Sequence, residues 1–369
     1  MDIGIIGLPG SGKTTLLNAL TRAQAQTGGY AVASRPNLGV LKVPDPRLDT
    51  LTVLMKSART VQAEISFVDI PGQPAEMGHS QGFQGEYLLQ VSLADALLLV
   101  LRAFRTPTQP EADPARDLET MEMELTFADL GIIDRRIQKL ESSVKAARAT
   151  EREGLAREAA LMTQLKAALE AGTPLRALDL SPEARKAISS FTFLTTKPLL
   201  LALNIGEEDL PQAEALVQQW QSRSQSGHNP CLALCSRLEE ELAQLNPGEA
   251  QEFRTSLGAP PSPVGALIRA AQQAAGLLTF FTTGTDESRA WTVPVGSAAP
   301  QAAGRIHSDM ERGFIRAEVI AYEDLIEAKT FAEARRRGTL RQEGKSYIVQ
   351  EGDVLDILFN VSATERRQA

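Results

Sequence analysis

The chain has 369 residues, of which 43% are hydrophobic and 23% are charged. This composition is typical of a globular protein with buried cores, and the length predicts two or three domains. The formal net charge of −8 disfavours sequence-independent binding of nucleic acid by the whole surface, and we expect no specific DNA binding.

Secretion and membrane insertion are not indicated by the sequence. The longest apolar runs, such as residues 96–101, are far too short to span a bilayer, and the first residues lack a signal-peptide pattern. The two cysteines, Cys231 and Cys235, cannot build a disulfide framework. We therefore expect a cytoplasmic protein with no membrane association.

A phosphate-binding site is predicted at the start of the chain. After an apolar strand pattern, residues 7–14 match G-x-x-x-x-G-K-T, and a helical pattern follows. Glycines let successive N–H groups point at phosphate oxygens, and the helix start adds its positive end. We expect Lys13 to reach the β- and γ-phosphates and the Thr14 hydroxyl to bind Mg²⁺. The predicted nucleotide contacts in this loop are Gly7, Pro9, Gly10, Ser11, Gly12, Lys13, Thr14 and Thr15.

A second motif lies at residues 63–73, where an apolar strand pattern ends in Asp69-Ile70-Pro71-Gly72. An aspartate at the end of a neighbouring strand holds Mg²⁺ through water, and a glycine such as Gly72 approaches the γ-phosphate. The D-x-x-G pattern alone is common, but after a phosphate loop it indicates a P-loop NTPase of the switch type.

The rest of an α/β domain is predicted from four further segments. Residues 37–51 contain a strand expected to pair antiparallel with residues 64–69. Buried strands are expected within 94–104, 197–204 and 229–241, the last followed by a helix. The predicted fold class is α/β, a doubly wound P-loop domain with ligands at the C-terminal ends of its strands.

A helical insertion is predicted over residues 117–195, because apolar residues recur there at helical spacing. Two long helices folding back on each other explain the pattern, with the turn expected at 149–155. Its basic residues form either a face for RNA or protein or, as we favour, a solvated surface. These residues are Arg135, Arg136, Lys139, Lys145 and Arg148.

The C-terminal block alternates strand-like runs with short helical ones, which suits a β-grasp sheet. The runs are expected at 289–295, 314–322, 347–350 and 354–361. A basic cluster between them either contacts a phosphate backbone or is merely solvated, and we favour solvation. The cluster consists of Arg335, Arg336, Arg337 and Arg341.

The chain resembles the YchF-type Obg-like ATPase family over nearly its whole length. The similar stretches are "PNLGVLKVPDPRLDTL", "FVDIPG", "LRALDLSPEARKAISSFTFLTTKP" and the C-terminal blocks at 279–331 and 343–361. The resemblance implies a P-loop domain (1–116 and 196–276), an inserted helical hairpin (117–195) and a C-terminal TGS domain of β-grasp shape (277–363). Residues 364–369 are expected to form a frayed tail.

The family prefers ATP despite its GTPase-like core, so the resemblance implies an adenine pocket. Guanine readers carry N-K-x-D, whose aspartate accepts two hydrogen bonds from the base, whereas this chain has Asn204-Ile205-Gly206-Glu207. A site built to satisfy a buried polar group can discriminate between ligands by roughly 10⁴–10⁵, so altering the reader can invert specificity. We assign base contacts to Asn204, Ile205 and Glu207 and, through the resemblance of residues 234–240 to the family's last base-side loop, to Cys235 and Ser236. The alternative for Glu207 is a solvated helix cap.

Two departures from the family concern the phosphate loop and the residue after D-x-x-G. Gly10-Ser11 stands where the family usually has Asn-Val, and this change preserves the phosphate-binding loop. Gln73 replaces a hydrophobic residue, and either orients the attacking water as a catalytic residue or points into solvent.

Two further departures concern catalysis and the metal. The family's candidate catalytic histidine has no counterpart in residues 104–118. His79, which lies elsewhere in the chain, is a weak candidate to replace it. The family's metal-binding threonine falls on Ala33, so Ser34 becomes the third candidate metal ligand beside Thr14 and Asp69.

The function implied is slow Mg²⁺-dependent ATP hydrolysis that switches a ribosomal or other translation-related partner. A monovalent cation is a further candidate cofactor. Two alternatives stay open: a GTPase of the same fold, which requires Glu207 to read guanine, and a nucleotide-sensing binding module with negligible hydrolysis.

Overall fold

The computed structural model describes residues 1–21, 37–71, 85–106, 111–146, 148–223 and 229–360. Within these residues the strands, in chain order, are β1 (Asp2–Ile6), β2 (Asn37–Val43), β3 (Arg59–Val61), β4 (Ala63–Asp69), β5 (Ala96–Ala103), β6 (Leu199–Ile205), β7 (Cys231–Leu234), β8 (Leu277–Thr283), β9 (Glu287–Pro294), β10 (Phe314–Ala321), β11 (Arg341–Glu343) and β12 (Asp353–Phe359).

The α-helices are α1 (Lys13–Thr21), α2 (Pro46–Met55), α3 (Gly85–Leu93), α4 (Pro114–Ala146), α5 (Ala149–Glu170), α6 (Pro182–Ile188), α7 (Ala213–Arg223), α8 (Ser236–Leu242), α9 (Pro247–Ser256), α10 (Val264–Ala274), α11 (Ala299–Ile306), α12 (Ser308–Arg312), α13 (Tyr322–Ala328) and α14 (Phe331–Arg337). Short 3₁₀ helices lie at Leu175–Ala177, Ser189–Phe191, Leu194–Thr196 and Glu207–Gln212. Among the described helices, none is long and apolar enough to cross a membrane.

The chain divides into two compact units. The first unit comprises residues 1–41 and 66–267, and the second comprises residues 42–65 and 268–369. The segment 42–65, which the sequence suggested as part of the P-loop domain, thus groups with the C-terminal residues. The boundaries predicted at residues 116, 195 and 276 stay predictions.

The first sheet has the strand order β2-β4-β1-β5-β6-β7. Strand β1 pairs in parallel with β4 and β5, β5 with β6, and β6 with β7. Every residue of β6 is buried, as expected for a parallel strand covered on both faces. The predicted doubly wound α/β class is confirmed. Parallel strands end at one edge, so the fold brings the ends of β1, β4 and β6 together there.

Helix α4 is one continuous helix of 33 residues that packs in two different cores. Its first half contributes Met121 and Leu125 to the core of the first sheet. Its second half contributes Ile133 and Leu140 to a separate core shared with α5. The two long helices of the insertion therefore exist as predicted, and one of them extends into the P-loop core.

The predicted turn at 149–155 is wrong, because these residues form the first turns of α5 and the break lies between Ala146 and Ala149. A glycine such as Gly154 costs a helix interior only about 1 kcal/mol, which strong helix formers around it outweigh. Helix α5 ends at Glu170, near Gly172 with its positive φ of 78°, and short helices follow.

Ion pairs join the two helices of the insertion. Arg136 donates to the two carboxylate oxygens of Glu158 at 2.7 and 2.8 Å, and its guanidinium carbon lies 5.8 Å from the Phe191 ring centroid. Lys166 donates to Asp134 at 2.7 Å. Arg136 of the predicted basic face is therefore engaged within the hairpin, which favours the solvated-surface interpretation for this residue.

A buried carboxylate fixes α4 to the segment that leads into β6. Asp129 is fully buried and accepts the N–H groups of Leu194 and Thr195, each at 2.8 Å, and the Thr195 hydroxyl at 2.6 Å. Because all three donors belong to the residues just before β6, Asp129 sets where the helix crosses the sheet.

We expect Asp129→Asn to remove a pH dependence of stability between about pH 4 and pH 6. Burial raises the pKa of Asp129 from 3.8 to about 6, although the hydrogen bonds oppose the shift. The folded chain therefore binds this proton more tightly than the unfolded chain, and wild-type stability falls as pH rises through this window. The fall is on the order of 2–3 kcal/mol. Urea unfolding of both proteins across this pH range measures it, and parallel pH profiles would contradict the assignment.

The second sheet, in the second unit, has the order β11-β10-β12-β8-β9-β3. Strands β8 and β9 pair antiparallel, as do β10 and β12, while β3 pairs parallel with β9. The strand predicted at 347–350 is wrong, since only an isolated bridge joins Ile348 to Ala298. Turn bonds take the neighbouring N–H groups instead: Tyr347 donates to the Gly344 carbonyl and Gln350 to the Asp353 carboxylate.

Candidate functional site

Three glycines shape the loop between β1 and α1. Gly7, Gly10 and Gly12 have φ values of 150°, 78° and 94°, which other residues rarely adopt. A Cβ on Gly7 would lie 2.5 Å from the Val100 carbonyl oxygen, and a Cβ on Gly12 would collide with the Asn204 amide. The loop therefore needs glycine at both ends for space as well as for conformation.

Lys13 is the first residue of α1 and reaches back over this loop. Its ammonium donates to the carbonyl oxygens of Gly7 at 2.8 Å and Leu8 at 3.0 Å, and the side chain is buried. Burial lowers the pKa of Lys13 to about 8, and the nearby Asp69 carboxylate opposes this shift. A phosphate anion would favour the charged ammonium in the same way.

Thr14 and Asp69 meet at the adjoining strand ends. The Thr14 hydroxyl donates to Asp69 Oδ2 at 2.7 Å, and Asp69 is buried. Its other oxygen, Oδ1, is buried and has no hydrogen-bond partner among the described residues. Magnesium ions prefer such hard oxygen ligands and take the remaining ligands from water and substrate phosphates. The two side chains thus fit the predicted Mg²⁺ site.

Asn204 connects the phosphate loop to the start of α8. Its Nδ2 donates to the Ser11 carbonyl at 2.8 Å, and its Oδ1 accepts the Ser236 N–H at 2.9 Å. The side chain is 4% exposed, so both ends of the amide are engaged inside the protein. The structure therefore gives Asn204 a positioning role that the sequence did not indicate, while its predicted base contact stays a prediction.

A cavity of about 640 Å³ lies next to this bridge, within the range of small-molecule sites. Its walls come from the phosphate loop, the segments after β5 and β6, and the start of α8. The lining residues are Gly12, Thr15, Phe104, Arg105, Thr106, Asn204, Ile205, Gly206, Glu207, Glu208, Cys235, Ser236, Arg237, Glu240 and Glu241. All five predicted base-side residues are among them.

The predicted base-side residues differ in accessibility. Ile205 and Cys235 are buried, and burial is the main cause that raises the pKa of the Cys235 thiol. Ser236 is buried, and its hydroxyl has no hydrogen-bond partner among the described residues. Glu207 is exposed at the start of a 3₁₀ helix, as the solvated-cap alternative expects.

The remaining predicted residues divide between the loop and undescribed segments. Pro9 and Gly10 are exposed on the loop, whereas Ser11 is buried with a hydroxyl that has no partner within the described part of the chain. Ser34, Gly72 and Gln73 lie outside the described residues, as do Ala33 and His79. Their predicted roles stay predictions.

Sequence reasoning missed several side chains of the cavity. Phe104, Arg105 and Thr106 follow β5, a position that the rule for strand ends in open α/β sheets could have indicated. Glu240 lies on α8 and accepts a hydrogen bond from Asn18 of α1 at 2.7 Å. No local signal links these two residues, because they are 222 positions apart.

The predicted arginine cluster of the second unit is paired with acids. Its members contact Glu318, Glu333, Glu327 and Glu343 at distances between 2.7 and 3.5 Å. Arg341 also donates to the Tyr347 hydroxyl at 3.2 Å. Each guanidinium thus has a partner within the protein, which favours the solvated interpretation. The phosphate-backbone contact stays a prediction.

The loop, the lysine at the helix start, the Thr14–Asp69 pair and the adjoining cavity define a P-loop NTPase-type domain. A family model described as "50S ribosome-binding GTPase" matches residues 2–130. The model for a YchF GTPase C-terminal domain, described as a protein of unknown function (DUF933), matches residues 277–360.

Relatives match over the full length. A "Ribosome-binding ATPase YchF" of Bacillus subtilis is 37% identical over 98% of this chain and 100% of its own. The protein of that name from Escherichia coli O157:H7 is 38% identical over 97% of this chain and 99% of its own. The solved structure of the Schizosaccharomyces pombe YchF GTPase has 28% identity and a TM-score of 0.83, and the match covers 97% of each chain. The chain belongs to the YchF family.

Proposed function

We propose that this chain is a slow Mg²⁺-dependent ATP hydrolase that acts in the cytoplasm as a nucleotide-controlled switch on the ribosome. The observation that supports it best is the meeting of Lys13, the Thr14–Asp69 pair and a base-sized cavity at one edge of the sheet. The names of the bacterial relatives, which describe ribosome-binding ATPases, support the choice of nucleotide and partner.

Each residue has a task in this proposal. The loop N–H groups and Lys13 bind the β- and γ-phosphates and stabilise the charge that develops during transfer. Thr14 and Asp69, with Ser34 as a further candidate, hold Mg²⁺, which when bound neutralises phosphate charge. Gln73 is the proposed residue that orients the attacking water. Catalysis by positioning alone, with no arginine finger identified in the sequence, is expected to be slower than the roughly 1–100 per second of kinases.

GTP hydrolysis is the second candidate, favoured by the name of the Schizosaccharomyces pombe relative, which calls that protein a GTPase. It would require Glu207 to read guanine, and the exposed position of Glu207 gives no support for a buried reader. The test is displacement of a bound fluorescent ATP analogue in the presence of Mg²⁺. We expect ATP to displace the analogue at a lower concentration than GTP does. Tighter binding of GTP would exclude the ATP proposal.

The ribosome step is tested on the full chain with purified ribosomes. We expect the affinity for ribosomes to differ between the ATP-bound and ADP-bound protein, and phosphate release to stay well below about one per second. The nucleotide-sensing module is the better description if phosphate release is undetectable while ATP still changes ribosome affinity. A ribosome affinity that is equal with ATP, with ADP and without nucleotide would contradict the switch.

A further inference from the structure

The cavity presents several acceptors to a bound base, while two donors at its edge are already engaged. Four carboxylates and two guanidinium groups are among its lining side chains. The Ser236 N–H donates to Asn204, and Arg237 Nε donates to Glu241 at 3.2 Å. Because carboxylates outnumber guanidinium groups four to two in this lining, a base that offers an N–H donor matches it better than one that offers only a carbonyl oxygen.

Glu240 is the carboxylate that the protein holds in place. Its Oε1 accepts the hydrogen bond from Asn18, whose side chain is only 2% exposed. Because Asn18 belongs to the helix that follows the phosphate loop, the carboxylate keeps a fixed place relative to that loop. Asn18 engages Oε1, and Glu240 is one of the residues that line the cavity, so its other oxygen, Oε2, is the candidate acceptor for a ligand there.

The other three carboxylates are less suited to fix a base. Glu207 is exposed. The carboxyl group of Glu208 folds back over Gly206, where a Cβ would lie 2.5–2.6 Å from it. Glu241 is paired with Arg237 on the exposed side of α8.

We propose that Glu240 is a specificity-determining residue that accepts a hydrogen bond from the exocyclic amino group of adenine. The inference rests on the proposed ATP hydrolysis and names the group that selects its base. A purine with a carbonyl at the same position would bring an oxygen against the carboxylate, which is repulsive. Asn18 acts as a positioning residue because it orients the carboxylate.

The test compares Glu240→Gln with wild type in calorimetric binding of three nucleotides in Mg²⁺: ATP, purine riboside triphosphate, which lacks the amino group, and inosine triphosphate, which has a carbonyl. Because a hydrogen bond from the adenine amino group to the charged Glu240 carboxylate is a strong one, wild type should bind ATP about tenfold or more tightly than purine riboside triphosphate. In Glu240→Gln the amide oxygen should stay with Asn18 and turn its NH₂ toward the base. ATP affinity then falls about tenfold, and the preference over inosine triphosphate is lost or reversed.

Two further variants separate this role from a general effect of structure or charge. Asn18→Ala removes the side chain that orients the carboxylate. Like Glu240→Gln, it should lower the ratio of ATP affinity to purine riboside triphosphate affinity. Glu252→Gln makes the same charge change on the exposed side of α9 and should leave all three affinities within about twofold.

Two results would overturn the inference. Glu240→Gln could leave the ratio of ATP to purine riboside triphosphate affinity as in wild type, because both affinities stay the same or fall equally, which indicates at most a structural effect. The loss of ATP affinity could also disappear with 2′-deoxy-ATP, which indicates a ribose contact. Each of these leaves the proposed ATP hydrolysis standing, whereas a wild-type protein that binds none of the nucleotides would overturn both proposals.

Discussion

Lys13→Ala is expected to lower ATP turnover by about 100- to 1000-fold, the usual effect of removing one donor that stabilises transition-state charge. The Lys13 ammonium sits at the start of α1, and its two present acceptors are neutral loop carbonyls. Phosphate oxygens carry full negative charge and would accept the same bonds more strongly. Calorimetric ATP binding and single-turnover phosphate release measure the change.

The matched control for this substitution is Lys186→Ala. Lys186 is exposed on α6 and loses the same charge without touching the cavity, so turnover should stay within about twofold of wild type. Thermal unfolding of Lys13→Ala must show that the chain still folds, because the loop carbonyls lose their partner. Undiminished ATP binding by the folded variant would contradict the assigned phosphate site and, with it, the proposed function.

Arg254→Met is expected to lower the free energy of unfolding of the first unit by about 3–5 kcal/mol, because it leaves a buried carboxylate without its counter-charge. Arg254 and Glu239 form two hydrogen bonds of 2.8 Å, and their side chains are 6% and 5% exposed. The pair joins α9 to α8, the helix whose start lines the cavity.

The double variant Glu239→Leu/Arg254→Met distinguishes the loss of the ion pair from the cost of leaving one buried charge unpaired. Replacing both charges by apolar residues of similar size is often neutral, so we expect most of the lost stability to return. The two tryptophans help the measurement, since Trp220 lies in the first unit and Trp291 in the second. In a Trp291→Phe background, fluorescence during urea unfolding reports the first unit alone. A double variant as unstable as Arg254→Met would argue against this account.

The parts of the site that the sequence predicted are those carried by contiguous motifs. Lys13 and Thr14 follow from one loop, because a strand, three glycines and a helix start leave the backbone few alternatives. Asp69 follows from the end of a buried strand. The convergence of these residues needed only the rule that parallel strands end at one edge.

What the sequence could not predict depends on tertiary packing between distant segments. The contact of Asn18 with Glu240 and the two bonds of Asn204 arise only when α1, β6 and α8 are assembled. The predicted turn at 149–155 is wrong although it contains Gly154, because a long helix tolerates one glycine. The wrong strand at 347–350 came from an apolar pattern in which turn bonds take the N–H groups of Tyr347 and Gln350, so that only an isolated bridge forms.

Helix α4 runs from one hydrophobic core into another, so a small tilt of the helix in the first core would displace its far end by a larger distance. About 25 Å of helix separates Asp129 from Ala146 at 1.5 Å per residue. A tilt of about 5° around the Asp129 anchor would therefore move the far end of the hairpin by about 2 Å, a shift comparable to those at known allosteric interfaces. Because the near end of the same helix follows the segment that lines the cavity, a small rearrangement around a nucleotide would be magnified at the opposite end of a single rigid rod.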